Sequence, residues 1–323
     1  MPTNETIVKN AALTTNGVNF GLLNSEQARQ FIKMTFESTA LGGVIRHEMR
    51  RSKTGEIDKI GIASRVVRKK VENIDANSNG TAPILDPTTG QITGYRVKPN
   101  FSQVPYATTA VRLPWETTEE TLRENIEGQG LEATVTNLMT TQLGIDMEDL
   151  YLNGDTATDP TNLDHDFLYI NDGWIKQISN GGHVYDASGF FGMTLDMFYG
   201  ALAALPNKYN NGKLRWLMSP HRAQEWELFL LNKGLNNGGS FPDSLYKSPA
   251  SIQAISVPRM PDDKIILCDP KNLIVVNTYD VKIRKTVEGE TAIMADKRFY
   301  VAHLDFDAIV EELDATAIIE GIS

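Results

Sequence analysis

The sequence predicts an α+β protein in which helices and strands do not alternate regularly along the chain. Three observations carry this. Between Leu131 and Tyr151 apolar residues recur every three or four positions, the period of one long amphipathic helix. Most of the last third is short, strand-like apolar runs, at 214–218, 252–257, 265–268, 273–276, 281–285, 299–304 and 315–320. No regular alternation of strand and helix links the two regions, which argues against a doubly wound parallel sheet.

Residues 1–24 are polar, rich in Thr, Asn and Gly, and read as an extended arm without a core of its own. Asn24-Ser25 supplies an N-cap, and Ala28, Phe31, Ile32, Met34 and Phe36 predict an amphipathic helix running to about Ala40, ended by Gly42-Gly43. Residues 44–71 are strand-like, broken at Lys53-Thr54-Gly55. The stretch 75–100 holds Asn77-Ser78-Asn79-Gly80 and Asp86-Pro87-Thr88-Thr89-Gly90 between polar strands, the composition of a long projecting hairpin with little to bury. Such a hairpin frays unless another surface covers it.

Alternation returns over 102–113, and Pro114 and Trp115 are expected to close that strand. Glu116-Thr117-Thr118-Glu119-Glu120 is a helix-start signature, its carboxylates suited to a positive helix N-terminus. In the long helix Leu131, Val135, Met139, Leu143, Met147, Leu150 and Tyr151 form one stripe, widened by Leu138 and stopped by Asn153-Gly154. Twenty-odd helical residues span about 30 Å. Further helices are predicted over 194–205, from Leu195, Phe198, Leu202 and Leu205, and over 221–231. No internal repeat is present.

A chain of 323 residues has room for one large or two coupled domains, and 41% hydrophobic with 22% charged residues is ordinary for a folded protein. The net charge of −10 argues against a protein that seeks nucleic-acid phosphate. Residues 1–75 carry 12 Lys+Arg against 8 Asp+Glu, whereas the remaining 248 carry 19 against 33. Attraction between the basic part of one copy and the acidic part of another is one use of this asymmetry, and a merely solvated surface is the other. Cys268, the lone cysteine, sits in an apolar run with no activating base nearby and reads as a buried structural thiol. No disulfide within the chain is possible, no secretory signal pattern appears, and no apolar run approaches the roughly 18 residues that span a bilayer. The expected compartment is the cytoplasm.

Candidate chemistry is sparse. Gly128-Gln129-Gly130-Leu131-Glu132-Ala133 matches a relaxed dinucleotide-binding pattern, but the acidic stretch before it would repel phosphate, so the glycines read as helix-start geometry. His47, His165, His183, His221 and His303 show no metal-ligand spacing. Asp155, Asp159, Asp164 and Asp166 read as a solvated acidic loop, without the spacing of a calcium hand. Ser219-Pro220-His221 cannot by itself place its serine and histidine productively. Glu311-Glu312 and Asp305-x-Asp307 read as surface or strand-edge groups. The basic run Arg65, Arg68, Lys69 and Lys70 lacks the stacking aromatics of a nucleic-acid site. Its natural complement is the acidic stretch Glu116, Glu119, Glu120, Glu124 and Glu127, and between copies such charges would fix register.

Several segments carry a family resemblance. Residues 111–120, Val-Arg-Leu-Pro-Trp-Glu-Thr-Thr-Glu-Glu, followed by the long helix and its end at 149–155, Asp-Leu-Tyr-Leu-Asn-Gly-Asp, resemble the Hong Kong 97-type capsid fold of tailed bacteriophages. Residues 172–178 resemble the strand segment after its spine helix, 214–219 an axial-domain strand, and 315–321 the closing strand. The order of these motifs covers nearly the whole chain. The resemblance implies an N-terminal arm over 1–24, a first part of a peripheral domain over 25–60 and an extended E-loop over 61–100. It further implies peripheral domain with spine helix over 101–155, an axial domain over 156–285 and peripheral closing strands over 286–323. By the same resemblance the protein is a major capsid protein and no enzyme, with no cofactor. It assembles with itself as hexamers and pentamers into an icosahedral shell around double-stranded DNA, bound without sequence specificity. A separate scaffolding protein and a portal protein are implied partners, a membrane is not, and the virion is the destination. The Lys, Asn and Glu that cross-link subunits in some members have no match here. The alternatives are an encapsulin-type nanocompartment shell and, from another class, a soluble enzyme using a nucleotide at 128–133.

Overall fold

The computed structural model describes residues 41–61, 82–85, 92–95, 100–124, 130–237, 248–279 and 282–322. The arm and helix expected over 1–40, the basic run 65–70 and Glu127 lie outside the described residues, and for Glu124 only the backbone is described. The chain divides into two compact units, Ser52–Ala107 and the remainder.

The smaller unit is built on β2 (Thr54–Gly61) and β5 (Asn100–Ala107), antiparallel from Thr54↔Ala107 to Gly61↔Asn100. A second pair, β3 (Ala82–Leu85) and β4 (Ile92–Tyr95), is also antiparallel. Ile57 and Tyr106 are buried in the stem, and Gly55 leaves room for the Tyr106 ring, whose atoms would lie 2.7–3.0 Å from a Cβ there. Farther along, the cross-strand partners Ile60 and Phe101 stand 70% and 69% exposed. The expected strand over 102–113 is in fact two strands, divided at Thr108 between the units.

In the larger unit one five-stranded sheet is organised by β13 (Lys297–Val310). β6 (Thr109–Thr118) pairs antiparallel with it over Lys297↔Thr118 to Phe306↔Thr109. β12 (Lys282–Thr286) flanks the same part of β13, and β11 (Leu273–Asn277) pairs with its last residues. β1 (Arg46–Met49) lies parallel to β11. Pro114 does not close its strand: β6 continues through it to Thr118, with Pro114 opposite Val301. β6 pairs with β13 alone, and an edge strand tolerates the missing N–H.

The second sheet has the order β7-β14-β10-β8-β9, from His183–Asp186, Ala317–Glu320, Lys264–Cys268, Arg215–Met218 and Ala254–Ser256. Its central strands bury both faces. Leu217, Ile266 and Ile318 join one core cluster, and their neighbours Trp216, Ile265, Leu267 and Ile319 join another. Alternating sides with apolar residues on both explains the continuous apolar runs that marked these strands in the sequence. Strand membership does not follow chain blocks: β11 sits in the first sheet and β14, from the closing stretch, in the second.

The described helices include α1 (Glu119–Glu124), α2 (Gly130–Asn153), α3 (His165–Leu168), α4 (Trp174–Gly181), α5 (Leu195–Ala204), α6 (Pro220–Asn237) and α7 (Glu290–Ala295). α4 replaces the strand expected over 172–178, because Trp174, Ile175 and Ile178 lie on one helical face and all are buried. α2 departs from a single stripe. Leu143, Met147 and Leu150 are buried as expected, but so are Ile145, Glu148 and Leu152, so its C-terminal half is enclosed on more than one side. In the second core Phe198 of α5 meets Trp216 and Trp226 edge-on at 4.9 and 5.1 Å.

Candidate functional site

The end of α2 and the start of α4, two segments singled out in the sequence, meet in space. Gly173 N donates to Gly154 O at 2.7 Å and Asp155 N to Leu168 O at 2.8 Å. A Cβ on Gly173 would lie 2.5 Å from Leu152 O, and one on Gly154 2.8 Å from Leu150 O. The two glycines are therefore the condition for this backbone crossing. Trp174 is completely buried beside it and donates from Nε1 to Ile309 O at 3.1 Å. Tyr151 packs against Trp174 and Phe306, and burial pushes its phenol above the ordinary range. The crossing thus ties α2, α4 and β13 into one rigid joint.

The acidic entrance to the helices is a second cluster. Glu116 accepts from Lys297 Nζ at 2.8 Å. Glu119 and Arg298 form a two-pronged pair, with Nη2 to Oε2 at 2.9 Å, and Arg298 Nη1 reaches Glu132 Oε2 at 2.6 Å. Lys285 bonds the other oxygen of Glu132, and holds that carboxyl below its ordinary value. Beneath them Trp115 stacks on Tyr300, its register partner, at 5.3 Å, and burial raises the Tyr300 phenol to about 12. Of the five acidic residues nominated, Glu116 and Glu119 thus have cationic partners within the chain, and Glu120 is exposed. Sequence reading missed Lys285, Glu132, Lys297 and Arg298; the one available signal was that Lys297-Arg298 opens a largely apolar strand.

The acidic loop uses its carboxylates locally. Asp155 and Asp172 both bond Lys176 Nζ, at 2.6 and 2.7 Å, and Lys176 is the first cause of the lowered Asp155 carboxyl. Asp159 accepts from Thr161, and His165 Nδ1 lies 3.1 Å from Thr158 O. Among the described residues no group of three or more His, Cys, Asp or Glu side chains is placed to hold a metal ion.

Ser219 and His221 both approach Asp262, yet the arrangement is not a hydrolytic triad. The Ser219 hydroxyl bonds the Asp262 carboxylate directly, while His221 Nδ1 stands 3.5 Å from the other oxygen and is largely exposed. No imidazole stands between serine and carboxylate to take a proton. Ser219 instead caps α6, accepting from Arg222 N at 3.2 Å. Arg222 is buried and donates to Asp262 O, Glu225 Oε2 and Ile322 O at 2.6, 2.5 and 3.1 Å, fastening the segment after β14 to α6.

Asp305 and Asp307 correct a sequence expectation: both are buried rather than at a surface or strand edge. Asp305 accepts from Thr278 N at 2.8 Å and Thr108 Oγ1 at 3.3 Å, and Asp307 from Asn171 Nδ2 at 2.9 Å. Carboxylates inside a strand that is apolar on both sides must be paired, and these are. Cys268 is fully buried and its thiol pushed far up by desolvation, which leaves it inert.

No family model matches the chain. A protein of Bacillus subtilis (strain 168), named prophage capsid protein YqbE, is 26% identical over 97% of both chains. Among solved structures, one from Mycobacterium phage Bobi superposes with a TM-score of 0.59 at 10% identity, covering 96% of this chain and 99% of that one. Another, from a satellite phage P4 procapsid, gives 0.55 at 16% identity, covering 87% of this chain and 94% of that one. A relative matched nearly end to end and a fold shared nearly end to end agree: this chain has the Hong Kong 97-like fold seen in phage capsid structures, and it is similar over nearly its whole length to a prophage capsid protein.

Proposed function

We propose that copies of this chain assemble as hexamers and pentamers into an icosahedral shell that encloses double-stranded DNA. The observation that carries the reading is the fold shared over 96% of this chain with 99% of a phage protein. In this reading the role is structural. Residues 1–24 and the E-loop over 61–100 lie across neighbouring subunits, 156–285 supply the axial domain, and a separate scaffolding protein and a portal join during assembly. The exposed Ile60 and Phe101 pair supports such a role for the hairpin, since two large apolar side chains side by side on a narrow two-stranded stem call for a covering surface. The net negative charge beyond residue 75 limits adhesion to packaged DNA.

The test is expression of the full chain, with and without a co-expressed scaffolding protein, followed by electron microscopy. Closed particles with five- and six-fold capsomers are expected. A chain that stays monomeric at high concentration under every condition would sink the proposal.

A further inference from the structure

In the larger unit, one face of the first sheet is turned away from the core and carries cations without acidic partners. Strand alternation fixes which side chains lie there. On β13 Tyr300, Ala302 and Leu304 are buried in the core, so Val301 and His303 point to the other side. On β12 Lys285 reaches Glu132 of α2, so Lys282 and Arg284 point away from α2, and both are exposed. On β6 Val111 and Leu113 pack against the core, leaving Arg112 exposed. The register sets Lys282 opposite His303 and His303 opposite Arg112, a row across three strands about 10 Å long. Beside this row Tyr279, Lys282, Arg284 and His303 line an open pocket of about 310 Å³. Lys282 Nζ stands 5.0 Å from the centre of the Tyr279 ring, which holds the ammonium at the pocket without neutralising it.

Among the described residues no carboxylate pairs with Arg112, Lys282, Arg284 or His303, whereas Lys285, Lys297 and Arg298 on the same strands are each paired with a glutamate. On this face of β6 and β13, Glu116 bonds Lys297, and Asp305 is buried and accepts from Thr278 and Thr108. We propose that the pocket binds a phosphate group. A guanidinium, an ammonium, an imidazole and a phenol meet there from two strands and a loop, the several directions from which a tetrahedral oxyanion accepts hydrogen bonds. A planar carboxylate would use the two parallel donors of the guanidinium and leave the rest unused. The phosphate comes either as the free inorganic ion or as one link of a nucleic-acid backbone. Arg112 extends the cations beyond the pocket and suits a backbone, while the net charge of −10 opposes one. A single subunit carries the whole pocket, so the site goes beyond the shell reading and does not depend on it.

The test titrates inorganic phosphate with the full-length chain at low salt and reads the broadening of the phosphorus NMR line. Lys282→Thr with Arg284→Thr, both at exposed strand positions, should weaken binding about tenfold or more. Lys208→Ser with Lys213→Ser removes the same charge from exposed positions elsewhere and should leave binding unchanged, with circular dichroism checking the fold of both variants. Oligoglutamate added to the unaltered chain needs no variant, and should compete poorly. No broadening with the unaltered chain, an equal loss in both double variants, or full competition by oligoglutamate each overturns the proposal. Anisotropy of a short labelled DNA single strand separates the sources. A signal lost in the Lys282 and Arg284 variant assigns the site to a backbone phosphate, and broadening without any anisotropy signal assigns it to the free ion. Closed particles in micrographs would be unaffected by a failure here, which separates it from failure of the shell reading.

Discussion

Gly154 and Gly173 occupy positions where a single added carbon meets a backbone carbonyl rather than a flexible side chain. Gly173→Ala is therefore expected to destabilise the subunit by about 2–4 kcal/mol in urea unfolding, while Gly43→Ala, with nothing within 4 Å, stays within about 0.5 kcal/mol. Trp174→Phe keeps most of the packing but leaves Ile309 O buried without its donor, at a cost of about 1–3 kcal/mol. Charge at this scale sets a pH dependence. Lys285 holds Glu132 below its ordinary 4.5 and Lys176 holds Asp155 below its ordinary 3.8. Carboxylates with depressed folded-state values stabilise fully above their ordinary values, and that stability fades as pH falls through the folded ones. The unfolding midpoint should decline below about pH 4.5, and Lys285→Met should flatten part of that decline; an unchanged acid slope would rule the pair out as its source.

At the scale of elements, the decisive contact is between the acidic helix start and the beginning of β13. Arg298 joins β13 to both α1 and α2 through Glu119 and Glu132, so its loss should loosen two junctions at once. Arg298→Leu is expected to lower stability by about 1–3 kcal/mol, and Arg298→Lys to recover little, because a single ammonium cannot replace the two-pronged guanidinium. Chemical unfolding of the purified subunit measures both. The acidic stretch was legible in the sequence as a helix start, but its partners were not: Lys297 and Arg298 lie some 180 positions away and meet it only because β13 pairs with β6 in this register. In the same way Pro114 read as a strand end, since nothing local reveals that β6 is an edge strand.

At the scale of the molecule, the charge asymmetry and the exposed stem residues are where the proposed assembly is tested. Ile60→Glu with Phe101→Glu should leave the subunit folded by circular dichroism and abolish closed particles in micrographs. Arg68→Glu with Lys69→Glu should weaken assembly without unfolding, and added salt should mimic it in part. Since Glu116 and Glu119 already have partners in their own chain, the proposed complement of the basic run narrows to Glu120, Glu124 and Glu127. Normal shells from the doubly reversed variant would dismiss that electrostatic register while leaving the shell proposal intact.

The sequence by itself determined the α+β class, the long helix with its Asn-Gly stop, most of the buried strands, and the resemblance to phage shells. These are local matters of period, capping and composition, written within a few consecutive residues. The tertiary structure alone decided which strands share a sheet, that 174–181 coil into a helix, that Asp305 and Asp307 are buried, and that Ser219 caps a helix beside Asp262 instead of serving a triad. Each of those depends on partners distant in sequence, and the free energy of burying a polar or apolar group is set by the groups around it rather than by its neighbours along the chain.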